Sequence, residues 1–262
     1  MPDIPPPARQ VRVAIGLADL RACFALVYRT YAQAGYLPFD TVHDGFWYGL
    51  HELLPASATL MSQGSGGALT ASVIADSPLG LPCEAVFPDE VASLRQRWPR
   101  LSECISLAHE LDPRAGTGPI LELLRGVHLC SRFVQDSSGL LITVNPRHVS
   151  FYQRFLGFER LGPERAYGKV GGAPAVLLLL DFATMDETYR QRFAQRGPGN
   201  QHEFFITSPM IPELVRGLRA GQQARDPMAL LALANRREDR LRELPRHQRM
   251  WLGQTLATAV AA

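Results

Sequence analysis

The sequence predicts an α/β fold with an added helical part, on three observations. Across residues 11–185, short stretches of strand pattern alternate with amphipathic helix patterns. One strand, Leu140 to Val144, is apolar almost throughout, as a strand buried on both faces at the centre of a sheet would be. After residue 185 the composition changes. Residues 186–262 hold 12 Arg against 8 Asp and Glu, a net of +4, whereas residues 1–185 hold 15 basic against 17 acidic residues, a net of −2. The expected organisation is a flexible lead over residues 1–10, an α/β domain over 11–185 and a helical extension over 186–262.

Residues 1–9 are Pro-rich and expected to be mobile. Val11 to Ile15 alternates as a strand. Ala18 to Gln33 carries Leu20, Cys23, Phe24, Val27 and Tyr31 at helical spacing, with Asp19 near its positive end. The loop from Gly35 to Pro55 holds Tyr36, Phe39, Phe46, Trp47 and Tyr48, either a lid packed on the core or the wall of a ligand pocket. Ala58 to Gln63 and Ala68 to Ala75 form a hairpin around Gly64-Ser65-Gly66-Gly67. That turn is no phosphate loop, because no Lys-Ser/Thr follows it.

A rigid connector, Asp76 to Pro82, leads to a helix over Pro88 to Arg97, with Asp89 and Glu90 in its first turn. Glu103 to Leu107 alternates as a strand. Ile120 to Val134 is an amphipathic helix with a stripe of Ile120, Leu124, Val127, Cys130 and Val134. Val149 to Leu156 is helical and stops at Gly157; Ala175 to Leu180 is a last apolar strand. The extension reads as helices over Ile211 to Ala220, Met228 to Leu244 and Gln248 to Val260.

Composition excludes several classes. Of 262 residues, 27 are basic and 25 acidic, so the chain lacks the excess of a protein that coats nucleic acid. Lys169 is the only lysine; the other basic residues are arginines, scattered as composition bias would scatter them. Cys23, Cys83, Cys104 and Cys130 are far apart, with no metal-ligand spacing, and read as reduced thiols. No apolar run approaches the roughly 18 residues of a membrane span. The N-terminus lacks the basic start and apolar core of a signal peptide, and a cytoplasmic location is the expectation. No Gly-x-Ser-x-Gly occurs, and His51-Glu52 lacks the second His of a zinc protease.

The informative stretch runs from Leu140 to Phe158: a buried strand, then Val144-Asn145-Pro146-Arg147-His148, a helix carrying Tyr152, and Leu156-Gly157-Phe158. It resembles the wall of the thioester pocket in the GNAT superfamily of N-acyltransferases. Asn145 and Tyr152 are seven residues apart, as is usual there; five separate Tyr152 from Gly157, where four is commoner. Asp76 to Pro82, Glu103 to Ala108, Val144 to His148 and Gly172 to Leu178 follow in an order similar to that of the N-acyl amino acid synthases, relatives of the acyl-homoserine lactone synthases. The resemblance covers about Arg12 to Asp181. It implies a GNAT-like three-layer fold, with a central twisted mixed sheet flanked by helices. It also implies transfer of a medium- or long-chain acyl group from acyl carrier protein, or CoA, to an amino acid's amine. The acyl-phosphopantetheine thioester is then a co-substrate, and no permanent cofactor or metal is implied.

The place of the pyrophosphate cradle is Pro113-Arg114-Ala115-Gly116-Thr117-Gly118-Pro119. Gly116 and Gly118 fit, but Arg114 is one position late and Pro119 removes an amide donor. A weakened cradle suits a carrier protein, which presents a single phosphodiester. Arg114, Arg125, Arg132 and Arg147, with the basic extension, are then docking candidates for an acidic carrier.

Amide formation needs a base for the amine, a donor for the oxyanion and an acid for the thiolate. Glu103, expected on one side of its strand with Ile105 and Leu107, is either the base with a raised pKa or the partner of an arginine. His148 is a rival base. Tyr152 is the acid for the thiolate or a core aromatic. Asn145 caps the helix or touches substrate, and Arg147 meets a phosphate or carboxylate or stays solvated. Tyr28, Arg29, Tyr31 and Tyr36 lie where lactone synthases bind their acceptor, Arg29 being the expected carboxylate ligand. The acidic cluster of those enzymes is missing, so homoserine lactone formation ranks second. The remaining alternative is a non-catalytic module with a blocked pocket.

Overall fold

A computed structural model describes residues 11–37, 44–64, 66–197 and 199–261. The expected lead (residues 1–10) and Phe39 lie outside the described residues.

Among the described residues, seven segments pair into one sheet: β1 (Arg12–Val13), β2 (Ala58–Gly64), β3 (Gly67–Ala75), β4 (Leu101–Leu111), β5 (Gly139–Val144), β6 (Glu159–Tyr167) and β7 (Ala173–Asp181). Their order is β1-β2-β3-β4-β5-β7-β6. All neighbours are antiparallel except β4 and β5. The β2–β3 turn closes tightly on Gly67 (φ 113°), where a Cβ would run into the Glu110 carbonyl.

The sheet lies between two helical layers. α1 (Leu17–Gln33) and α2 (Pro88–Arg97) cover one face, where α2 packs on Ile74, Leu101, Leu141 and Leu179. α3 (Gly118–Leu129), α4 (Pro146–Leu156), α5 (Phe182–Phe193) and α6 (Ile211–Gln223) cover the other, around Val73, Leu140, Ile142 and Leu178. α7 (Pro227–Asn235), α8 (Glu238–Glu243) and α9 (Arg246–Ala261) follow, and α7 and α9 bury Leu230, Leu233, Leu252 and Leu256 against α1 and residues 48–54.

The extension is therefore part of the same core. Val215 and Leu218 belong to the main apolar cluster, and the buried Arg225 guanidinium donates to the carbonyls of Glu52, Leu54 and Ser57. The expected boundary at residue 185 falls inside α5, an unbroken helix capped by Asp181, whose side chain accepts from the Ala183 N–H. The helix expected over Met228–Leu244 is two helices, α7 and α8. β6 had no strand pattern because it is a solvent-facing edge strand, charged and interrupted at Gly162-Pro163.

One irregularity positions the site. β4 carries an extra residue opposite Thr70/Ser72 on β3, with Ser106 at φ 56°. This bulge breaks the period of two. Glu103 and Ile105 share the α2 face as expected, but Leu107 turns to the α3 face and packs in the opposite cluster. Parallel pairing of β4 with β5 ends at Cys104/Ile142. Beyond it β4 continues along β3 to Leu111 and β5 along β7 to Val144. The two central strands splay apart there, which leaves backbone donors without strand partners.

Candidate active site

A cavity of about 980 Å³ threads this splay. Its lining comes from both faces of the sheet and divides into a polar and an apolar half.

The polar half lies on the α1 face. Glu103 is fully buried; its Oε2 accepts the Cys83 N–H at 2.8 Å and its Oε1 accepts the Thr143 hydroxyl at 3.4 Å. Burial pushes its carboxyl up to about 7, against the pull of the Cys83 amide and thiol, the Lys169 charge and the Thr143 hydroxyl. Among the described residues no arginine pairs with it. Glu52 is the second buried carboxyl, accepting the Gly49 N–H at 2.9 Å and the Ser106 hydroxyl at 3.0 Å. Burial raises it, and Lys169 again opposes the rise. Lys169 also lines this half, and burial with the nearby ammonium takes His51 down to about 4, so His51 is neutral.

The rim is built on α4. Asn145 lines the cavity and caps the helix, accepting the Arg147 N–H at 3.2 Å. Arg147 donates from Nη2 to the Tyr36 hydroxyl at 3.1 Å and from Nε to His148 Nε2 at 3.0 Å. Burial and the Arg147 charge depress His148, and its lone pair is occupied, both of which weaken it as a base. Tyr152, one helical turn on, is buried in the cavity wall. Burial raises its hydroxyl pKa, and so do neighbouring Cys104 and Tyr31, so it keeps its proton at neutral pH. Tyr152 comes from the α4 face and Glu103 from the α2 face, on either side of the splay.

The apolar half lies on the α3 face, between Leu124 and Val127 of α3, Leu140 and Ile142 of β5, and Leu180 and Met185 near α5. Its lining also includes His128, Tyr189 and Phe205. The aromatic loop serves both functions expected of it. Tyr48 stacks on Phe24 with centroids 4.6 Å apart, and Phe46, Trp47 and Tyr48 line the cavity.

Glu103, Tyr152, His148, Tyr36, Asn145 and Arg147 are thus brought to one cavity. Tyr28, Arg29, Arg114, Gly116, Gly118, Arg125 and Arg132 are not in its lining. Arg29 forms a two-point, half-exposed pair with Glu110 at 2.6 and 2.9 Å, outside the cavity. Arg125 is buried, paired with Glu122 at 2.5 Å and lying 4.1 Å over the Phe204 ring, so it presents no free charge for docking. Arg132 is likewise held by Asp186 at 2.6 Å. Arg114, Gly116 and Gly118 are exposed, beside Thr117, which does line the cavity. Of the extension, Arg236, Arg237 and Arg240 line the cavity next to Asp44, Asp239 and Glu243.

Glu52, His51, Tyr167 and Lys169 were missed by sequence reasoning. The one available signal was that Lys169 is the sole lysine among so many arginines.

The model of one protein family, the N-acyl amino acid synthase FeeM, matches residues 22–181. No curated protein matches the sequence. Among solved structures, FeeM from uncultured soil microbes, an N-acyl amino acid synthase, is 24% identical, with a TM-score of 0.56 over 69% of this chain and 95% of that one. A CoA-dependent acyl-homoserine lactone synthase is 13% identical, with a TM-score of 0.47 over 70% and 89%. A putative acetyltransferase from Salmonella typhimurium is 15% identical, with a TM-score of 0.44 over 66% and 94%. The helices α6 to α9 lie beyond the residues that the family model matches.

Proposed function

The chain belongs to the N-acyl amino acid synthase family and is an N-acyltransferase, and from that premise we propose that it moves a medium- or long-chain fatty acyl group from an acyl carrier protein thioester to the amine of an α-amino acid. The observation that carries this reading is the cavity through the splay. It offers a long apolar space on one side, ionisable groups on the other, and strand amides between them.

The acyl chain occupies the apolar half, its thioester carbonyl sits at the splay, and the amino acid enters the polar half. Glu103, with its carboxyl near 7, takes a proton from the ammonium as the amine approaches. The amine nitrogen attacks the carbonyl carbon, and the oxyanion is held by backbone N–H groups that the splay releases. As the C–S bond breaks, the thiolate takes the Tyr152 proton. The nitrogen gives its second proton to solvent as the amide forms, and Tyr152 is reprotonated and Glu103 discharged through solvent, so one proton is released per amide formed. Lys169 is the candidate for the amino acid's carboxylate. Arg147 and Tyr36 at the rim, with Arg114, Gly116 and Gly118 by the uncapped start of α3, are candidates for the phosphopantetheine phosphate. The open cavity beside Tyr152 speaks against a blocked, non-catalytic shell.

The test supplies purified protein with acyl carrier thioesters, CoA thioesters and mixed amino acids, and reads products by mass spectrometry. N-acyl amino acid formed faster from the carrier thioester is the expected result. Absence of any N-acyl amino acid across chain lengths and acceptors overturns the reading; a faster reaction with CoA overturns only the donor.

A further inference from the structure

We propose that the apolar half of the cavity ends in a polar subsite built on His128, and that the chain it fits carries a hydroxyl at or near its tail. This rests on the acyltransferase reading above and specifies its substrate.

The cavity follows one face of α3. Ile120, Leu124, Val127 and His128 share that face at helical spacing, and all four line the cavity. Ile120 to His128 spans about 12 Å along the helix axis. Across from them Ile142 and Leu140 step back along β5, away from the splay, to the neighbourhood of Leu180 and Phe205. A chain anchored at the splay and following this lining arrives at His128.

His128 is the anomaly of this region. It is 3% exposed, and neither ring nitrogen has a hydrogen-bond partner among the described residues. Its neighbours are rings, with centroids of Phe182 at 5.4 Å and of Phe133 and Phe205 at 6.3 Å. Burial, with the nearby Arg132 charge, takes it down to about 3, so it is neutral and presents one N–H donor and one lone pair. A leucine would fill such a place at less cost, since an unmatched buried polar group is destabilising. A hydroxyl on the chain tail matches either nitrogen. A plain methyl terminus leaves both unmatched.

Matched fatty acids of equal length, unsubstituted and hydroxylated at or next to the terminal carbon, are titrated calorimetrically into the full-length protein. The same pairs are compared as carrier thioesters in the transfer assay. The natural protein favours the hydroxylated member by roughly three- to tenfold in Kd and in kcat/KM. His128→Leu reverses that preference and raises the ligand-free Tm; His128→Gln keeps part of it. Equal or better binding of the plain chain by the natural protein, with the same ratio in His128→Leu, overturns the subsite. Should no thioester be turned over, the acyltransferase reading fails, while the fatty-acid titration still decides the role of His128.

Discussion

The two halves of the cavity bury polar groups to opposite ends. In the polar half every buried carboxyl is matched: Glu103 by the Cys83 amide, Glu52 by the Gly49 amide and the Ser106 hydroxyl, and both lie within reach of the Lys169 charge. The matching is enough to hold the carboxyls in place but not enough to cancel burial, so both pKa values stay raised. In the apolar half His128 is buried without a match among the described residues. Tuning a base needs partners that are already present, whereas an unmatched group is tolerable where a ligand completes it.

The largest effect is expected at Glu103. Glu103→Gln keeps an acceptor for the Cys83 amide and is expected to lower kcat/KM by roughly 10²- to 10⁴-fold. In the natural enzyme the base works ionised, so kcat/KM climbs with pH up to about 7 and then levels. The variant loses that limb. Unchanged turnover removes Glu103 from the base role.

The next largest effect is expected for Lys169→Met. Its charge holds both carboxyls down, so without it the acid limb moves to higher pH. Activity at pH 7 then falls about fivefold for the first unit moved and returns at alkaline pH. Lys169→Arg restores the limb. A limb that stays in place in Lys169→Met disconnects the lysine from the carboxyls.

At the rim, Arg147→Ala raises the KM for the acyl donor by about three- to tenfold with little change in kcat. Tyr36→Phe, which removes one partner, has a smaller effect, and the double variant adds little to Arg147→Ala. Full additivity separates the two residues.

The smallest effect is on chain length. Leu124→Phe narrows the apolar half and shifts preference to a shorter chain, by about fourfold for each methylene excluded at ~0.8 kcal/mol each. A competition assay with mixed chain lengths reads the shift directly. An unchanged product distribution takes the chain out of this half.

Legibility in the sequence followed periodicity. α2 spans the residues its pattern predicts, and α1, α3, β5 and β7 differ only at their ends, because apolar spacing reports a buried face directly. β6 and the break between α7 and α8 were not legible, being solvent-facing or decided by packing. The α4 residues Asn145, Arg147, His148 and Tyr152 line one cavity as expected because they are close in sequence on one helix. Glu103 was found as a charge in an apolar strand. Arg29 and Arg125 lie outside the cavity lining, which the sequence did not reveal because an arginine's partner is settled in space: Glu110 on a neighbouring strand, and the Phe204 ring from the extension.

Most of the elements, the central place of Leu140 to Val144 and the family pattern around Asn145 and Tyr152 follow from the amino-acid sequence alone. These depend on local spacing and on which residues must leave water. Only the tertiary structure decided where β4 leaves β5, that the bulge at Ser106 turns Leu107 away from the Glu103 side, and that Glu52 and Lys169 share one half of the cavity while His128 lies in the other. Those are long-range facts. They arise when segments far apart in the chain pack together, and burial then sets the charge state of each group they enclose.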